Sequence, residues 1–153
     1  MAFENGEIRP INVQGTVNTI GGVTIFAPQK GNRGIITQVN INYPVDCTVS
    51  LYRHSAFTGK KILLYKISLT AGDIIDDGVG YNLGEGDSLY LVADEGAANW
   101  SVEGFEYEKN CLNIPTAGRG QLRVIDSNGN FKGIGAQGPP GPPGEASVTS
   151  AEF

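Results

Sequence analysis

This chain of 153 residues has a single histidine and only two cysteines. Cys47 and Cys111 lack metal-ligand spacing, and one distant pair does not define a secreted disulfide scaffold. Whether they pair depends on a fold that brings their Cα atoms within about 4.4–6.8 Å. No apolar run approaches the roughly 20 residues of a membrane-spanning helix, so no membrane partner is expected. Met1 to Glu7 carries neither a basic start nor an apolar stretch, so a cleaved secretion signal is not expected and folding in the cytoplasm is. Cations are missing where acids are dense. Between Lys66 and Lys109 stand Asp73, Asp76, Asp77, Glu85, Asp87, Asp94, Glu95, Glu103, Glu106 and Glu108, with no Lys or Arg among them. The net charge of −5 arises before Leu112, where eight Lys and Arg face thirteen Asp and Glu; the remainder holds three of each sign. Nucleic-acid binding requires clustered cations that neutralise phosphates, so nucleic acid is not an expected partner.

Helical periodicity is nearly absent as well. Hydrophobic residues make up 40% of the chain and charged residues 18%, enough for one core and unlike a disordered chain. The apolar residues alternate in short runs bounded by Gly, Pro, Asn and Asp, the pattern of an all-β protein. Strands are expected at Val23–Phe26, Gly34–Tyr43, Cys47–Arg53, Lys61–Leu69, Ile74–Ile75, Tyr81–Leu83, Ser88–Ala93 and Asn99–Glu108. In the second of these, Ile35, Thr37, Val39, Ile41 and Tyr43 share one face. Seven or eight strands at spacings near ten residues predict an antiparallel β-sandwich or jelly roll. The expected order is an arm at 1–22, the sandwich at 23–111, a linker and β-hairpin at 112–134, a collagen-like segment at 135–146 and a tail at 147–153. Asn128-Gly129 marks the turn of the hairpin, which must pack on the body or on other copies, because an isolated hairpin is marginal in water.

The most specific signal is a glycine period. Gly135, Gly138, Gly141 and Gly144 recur every third residue, and Pro139, Pro140, Pro142 and Pro143 fill two consecutive triplets. Three polyproline II chains wind together only where glycine occupies every axial position, and proline pre-sets the backbone for it. Twelve residues span roughly 35 Å at about 3.1 Å per residue. So short a triple helix requires three chains already brought together, so a homotrimer is expected with these residues as its stalk. The other reading is a polyproline linker docked on a partner.

No catalytic constellation stands out, so no enzyme and no cofactor are expected. His54 lies beside Ser55, but adjacent residues do not make a triad, and a solvated loop histidine is the simpler reading. Asp73, Asp76 and Asp77 resemble a calcium loop only in composition, without EF-hand spacing. Choosing a glycosidase pair among ten acids is arbitrary without geometry. Gly84-Glu-Gly-Asp87 lacks the phosphate-loop lysine. Cys47 falls on an inward face and reads as core, as does Trp100. Tyr52, Tyr81 and Trp100 are the aromatics that a carbohydrate site would use.

Several short motifs follow one another along the body: Ile25-Phe-Ala-Pro28, Gly31-Asn-Arg-Gly-Ile-Ile-Thr37, Leu69-Thr-Ala-Gly-Asp73, Leu83-Gly-Glu-Gly-Asp-Ser-Leu-Tyr90 and Trp100-Ser-Val-Glu-Gly-Phe105. Over about Val23 to Tyr107 the body resembles a β-sandwich of tailed-bacteriophage virion accessory proteins, including head decoration, head-fibre and fibre-base proteins. Collagen-like runs are familiar in such proteins too. The resemblance implies a non-enzymatic structural role in a virion, with a major capsid or fibre protein as partner and no catalytic residues to carry over. The alternative is a carbohydrate-binding receptor or adhesin module on a phage or bacterial surface, with a host glycan as ligand. On the first reading the acidic stretch from Asp73 to Glu108 is expected to face solvent or basic capsid patches.

Overall fold

The computed structural model describes residues 6–17, 22–95, 98–116 and 120–132, and among these it contains strands and no helix. The strands are β1 (Ile8–Val17), β2 (Val23–Phe26), β3 (Asn32–Asn42), β4 (Cys47–His54), β5 (Lys61–Leu69), β6 (Ile74–Asp77), β7 (Tyr81–Leu83), β8 (Ser88–Ala93), β9 (Ala98–Glu108) and β10 (Leu122–Ile125). They form two antiparallel sheets. One runs β1-β9-β3-β6-β10, with β7 also on β3; the other runs β2-β8-β4-β5. From β1 to β9 successive strands alternate between the sheets except for the β4–β5 hairpin and the β6–β7 pair, which is the winding of a jelly roll; β10 then follows β9 in the first sheet. The collagen-like segment and its residues Gly135, Gly138, Pro139, Pro140, Gly141, Pro142, Pro143 and Gly144 lie outside the described residues.

The core lies between the sheets. Ile36, Val39, Ile41, Ile75, Leu83 and Val102 come from the first, and Ile25, Val49, Leu51, Ile67, Leu89 and Leu91 from the second. Each is almost wholly removed from water, worth about 1.5–3 kcal/mol per side chain of this size. The face expected for β3 holds only in its second half. A β-bulge between Ile36 and Gln38 inserts Thr37, so Val39, Ile41 and Tyr43 point inward after it while Asn32, Gly34 and Ile36 point inward before it. Ile35, expected on the face of Val39, lies on the opposite one. β6 and β7 lie end to end along one side of β3, and their break at 78–80 falls opposite this bulge. The strand expected at Ile74–Ile75 continues through Asp76 and Asp77.

The segment expected to be an arm contributes a full strand. β1 pairs along its length with β9, from Ile8 opposite Tyr107 to Val17 opposite Ala98. Pro10 and Gly15 argue against a strand in isolation. Both fit here because β1 is an edge, where a missing N–H leaves no ladder bond unmade. Gly15 is required by close approach: a Cβ there would stand 2.6 Å from Cζ2 of Trp100, whose indole covers it.

The hairpin packs on the body. β10 pairs with β6, from Leu122 opposite Asp77 to Ile125 opposite Ile74. Asp126 then turns the chain, its Oδ1 accepting the N–H groups of Asn128 and Asn130 at 2.9 Å. The return is brief: Phe131 bridges to Ile125, and Lys132 donates its N–H to the Val124 carbonyl at 2.7 Å.

Gly104 sits where β9 meets the bulge, and a Cβ there would lie 2.0 Å from the Ile35 carbonyl oxygen, which is backbone and does not swing aside. Gly104→Ala is therefore expected to destabilise the sandwich by roughly 2–3 kcal/mol. The measure is the urea midpoint at unchanged slope.

Candidate functional site

The point where the chain leaves the sandwich is held by charge. Arg123 on β10 donates from Nε and Nη2 to Oδ2 of Asp76, directly across the ladder, and Gln38 on β3 donates to Oδ1 of the same carboxylate. One turn further on, Lys132 Nζ lies 2.6 Å from Oδ2 of Asp73 and 2.9 Å from Oγ1 of Thr70. Asp73 is 2% exposed and also accepts the Thr70 N–H at 2.8 Å. Two cations from the tail thus fasten it to acids of the cation-free stretch. An ion pair with one buried member is screened less than an exposed pair.

The three acids considered as a calcium loop diverge. Asp73 closes the Thr70 turn and Asp76 faces outward to Arg123. Asp77 points into the sandwich, 0% exposed, accepting the Tyr81 hydroxyl at 2.5 Å and the Val79 N–H at 3.1 Å. No group of His, Cys, Asp and Glu among the described residues is arranged to hold a metal. The expectation that the acidic stretch faces outward fails at four positions, since Asp73, Asp77, Asp87 and Glu106 are all buried. The reason is local. Asp87 accepts the Gly84 and Ala56 N–H groups and the Arg53 guanidinium, each at 2.9 Å. Glu106 accepts the Gln29 N–H and the Asn32 amide at 2.8 Å. Turn amides stand in for the missing cations.

Burial pushes the Asp77 carboxyl above its ordinary value, against the hydrogen bonds from Tyr81 and Val79 that favour the charge. Burial, then Asp77 itself, raises the Tyr81 phenol in turn. Asp87 goes the other way. Burial would raise it, but the Ala56 N–H, Arg53 and the Gly84 N–H together outweigh that and lower it.

The remaining candidates lie apart. His54 ends β4, in register with Lys61 and Ser88, while the neighbouring Ser55 Oγ accepts the Thr58 N–H. Cys47 and Cys111 are buried free thiols, and burial pushes Cys47 up to about 11, away from the thiolate a nucleophile needs. Tyr52 lies on the outer face of the second sheet opposite Tyr90, over whose ring Lys61 Nζ stands at 3.9 Å. Tyr81 spends its hydroxyl on Asp77, and Trp100 packs half-buried against the core over Gly15. These three aromatics make no common surface. A cleft of about 760 Å³ opens instead on the outer face of the first sheet, between Arg33, Asn82, Glu85 and Tyr107 and the segment Ile114–Thr116. Comparison with known protein families and with curated proteins finds no match for this chain.

Sequence reasoning did not identify Arg123 and Lys132 as fasteners. The available signal was a tail carrying cations beside a body whose acids had none within their own stretch.

Two outcomes follow from this geometry. Lys132→Met is expected to lower stability by about 1 kcal/mol, seen as a drop in the urea midpoint, because Asp73 keeps the Thr70 N–H and loses its cation. Folding strengthens the hold of Asp77 on its proton. The stability tied to it is therefore complete below the ordinary value of 3.8 and is lost as pH rises through the higher folded value. Asp77→Asn keeps an acceptor for Val79 and a partner for Tyr81 without the charge. Its Tm is expected to exceed that of the parent at pH 7 and to converge with it as pH falls towards 4.

Proposed function

We propose that this chain is a non-enzymatic structural subunit of a tailed-phage virion, a homotrimeric head decoration or fibre-attachment protein that docks on a capsid or fibre protein. The observation that carries this reading is the placement of the glycine period. It begins at Gly135, three residues after Lys132, and Lys132 is tied to the sandwich through Asp73. A triple helix started there gathers three sandwiches close to one axis instead of trailing on a loose linker. One triplet before Gly135 the sequence has Lys132, so the period has no earlier glycine and the stalk begins at the body. The two consecutive Gly-Pro-Pro triplets lower the entropy lost on winding, and the body supplies the local concentration that so short a helix requires. The motifs between Val23 and Tyr107 that resemble virion accessory proteins fall on the strands and turns of the jelly roll.

A second reading, recognition of a host glycan, is favoured by the cleft at Arg33, Asn82 and Tyr107, which has the volume and mixed lining of a saccharide site. It is compatible with the first, since this cleft flanks the start of β3 while β10 lies across β6 from its second half.

The test is the solution mass of the full chain beside Gly141→Ala. A trimer is expected for the full chain, with the variant losing protease resistance in its tail while the sandwich melts unchanged. A monomeric full chain would overturn the trimer, and absence of the protein from purified particles would overturn the virion assignment.

A further inference from the structure

At one end of the outer face of the first sheet Gln14, Asn40, Asn42, Asn99 and Ser101 surround a shallow depression. The face changes character at the tail. Ile74 on β6 stands opposite Ile125 on β10, and Ile125 is bridged to Phe131 on the returning segment. Directly paired residues project to the same side of a sheet, so the three side chains form an apolar row across β6, β10 and the returning segment. The row is open to water: Ile74 is 37% exposed and Phe131 67%. The next pair along, Asp76 and Arg123, is neutralised within the chain, as is Asp73 with Lys132.

We infer that this row, Ile74–Ile125–Phe131, is the surface on which three copies of the chain meet. The inference rests on the trimer reading above and names the interface that reading requires. Its occupant follows from reach. From Lys132 to Gly135 there are three peptide steps, at most about 11 Å, and from Phe131 about 14 Å. In a triple helix the glycines lie at the axis. Each Phe131 therefore stands within about 15 Å of the threefold axis, and the row leading to it is the apolar surface beside that axis. Three copies turned about the axis bring three such rows together beneath the stalk. Clustering them removes from water the exposed apolar surface at the tail's exit, and the paired charges flanking each row set no bare like charges against one another. Among the other exposed apolar residues, which include Phe57 and Leu112, Ile62 and Leu63 lie on β5 at the edge of the opposite sheet and are not brought to the axis by the tail.

The experiment uses the full chain. Both native thiols are buried, so a water-soluble maleimide reads introduced cysteines above a low background. Ile74→Cys and Ile62→Cys start from comparable exposure, 37% and 50%. In the trimer, Ile74→Cys is expected to label about tenfold or more slowly than Ile62→Cys. Phe131→Asp is expected to raise the concentration for half-association about tenfold or more, with Phe57→Asp leaving it unchanged. Equal labelling rates in a chain that sediments as a trimer would overturn the interface and leave the trimer standing. A monomeric parent would overturn the trimer reading and the interface with it.

Discussion

Among the described residues four carboxylates lie inside this sandwich, and each closes a connection between strands. Asp73 holds the turn before β6, Asp77 the break between β6 and β7, Asp87 the turn before β8 and Glu106 the turn before β3. A buried charge without partners is prohibitively unfavourable, so each has gathered backbone N–H groups as its first donors. Side-chain donors join from distant parts of the chain: Arg53 to Asp87, Tyr81 to Asp77, Asn32 to Glu106 and Lys132 to Asp73. The jelly roll crosses repeatedly between sheets, and these are crossings or turns that must not drift. Hydrophobic burial between the sheets supplies the bulk of the stability, but it is non-directional, whereas the carboxylates position the loops.

The same economy places the tail. The stretch from Ile67 to Glu108 has no cation of its own, and the tail brings Arg123 to Asp76 and Lys132 to Asp73. The acids of β6 and of the turn before it thus serve the fold and the attachment of the tail together. Two ion pairs and a strand ladder hold β10 and Lys132 against the sandwich.

Much of the fold is legible in the residues. Alternation located eight of the ten strands and β10 as the first arm of the hairpin, because a half-buried strand shows its two faces in a period of two. It missed β1, where Pro10 and Gly15 break the pattern and where the edge position and the overlying Trp100 that make them acceptable are tertiary facts. It misassigned the face of Ile35, because one inserted residue at Thr37 inverts the phase and leaves no mark in composition. The acids misled for a related reason. Asp and Glu are usually solvated, and only the turns folding back onto Asp73, Asp77, Asp87 and Glu106 make them interior groups.

The sequence by itself determined the class of fold, the inward character of Cys47 and the glycine period, since these depend on periodicity, which is local. Only the tertiary structure decided which carboxylates are buried, which cations meet them, and that Ile74, Ile125 and Phe131 stand in one row. Ile74 and Phe131 are far apart along the chain and become neighbours only when β10 pairs with β6. That pairing is a choice among strand edges made by burial of Val124 against the core and by the ion pairs beside it, and no local pattern encodes it.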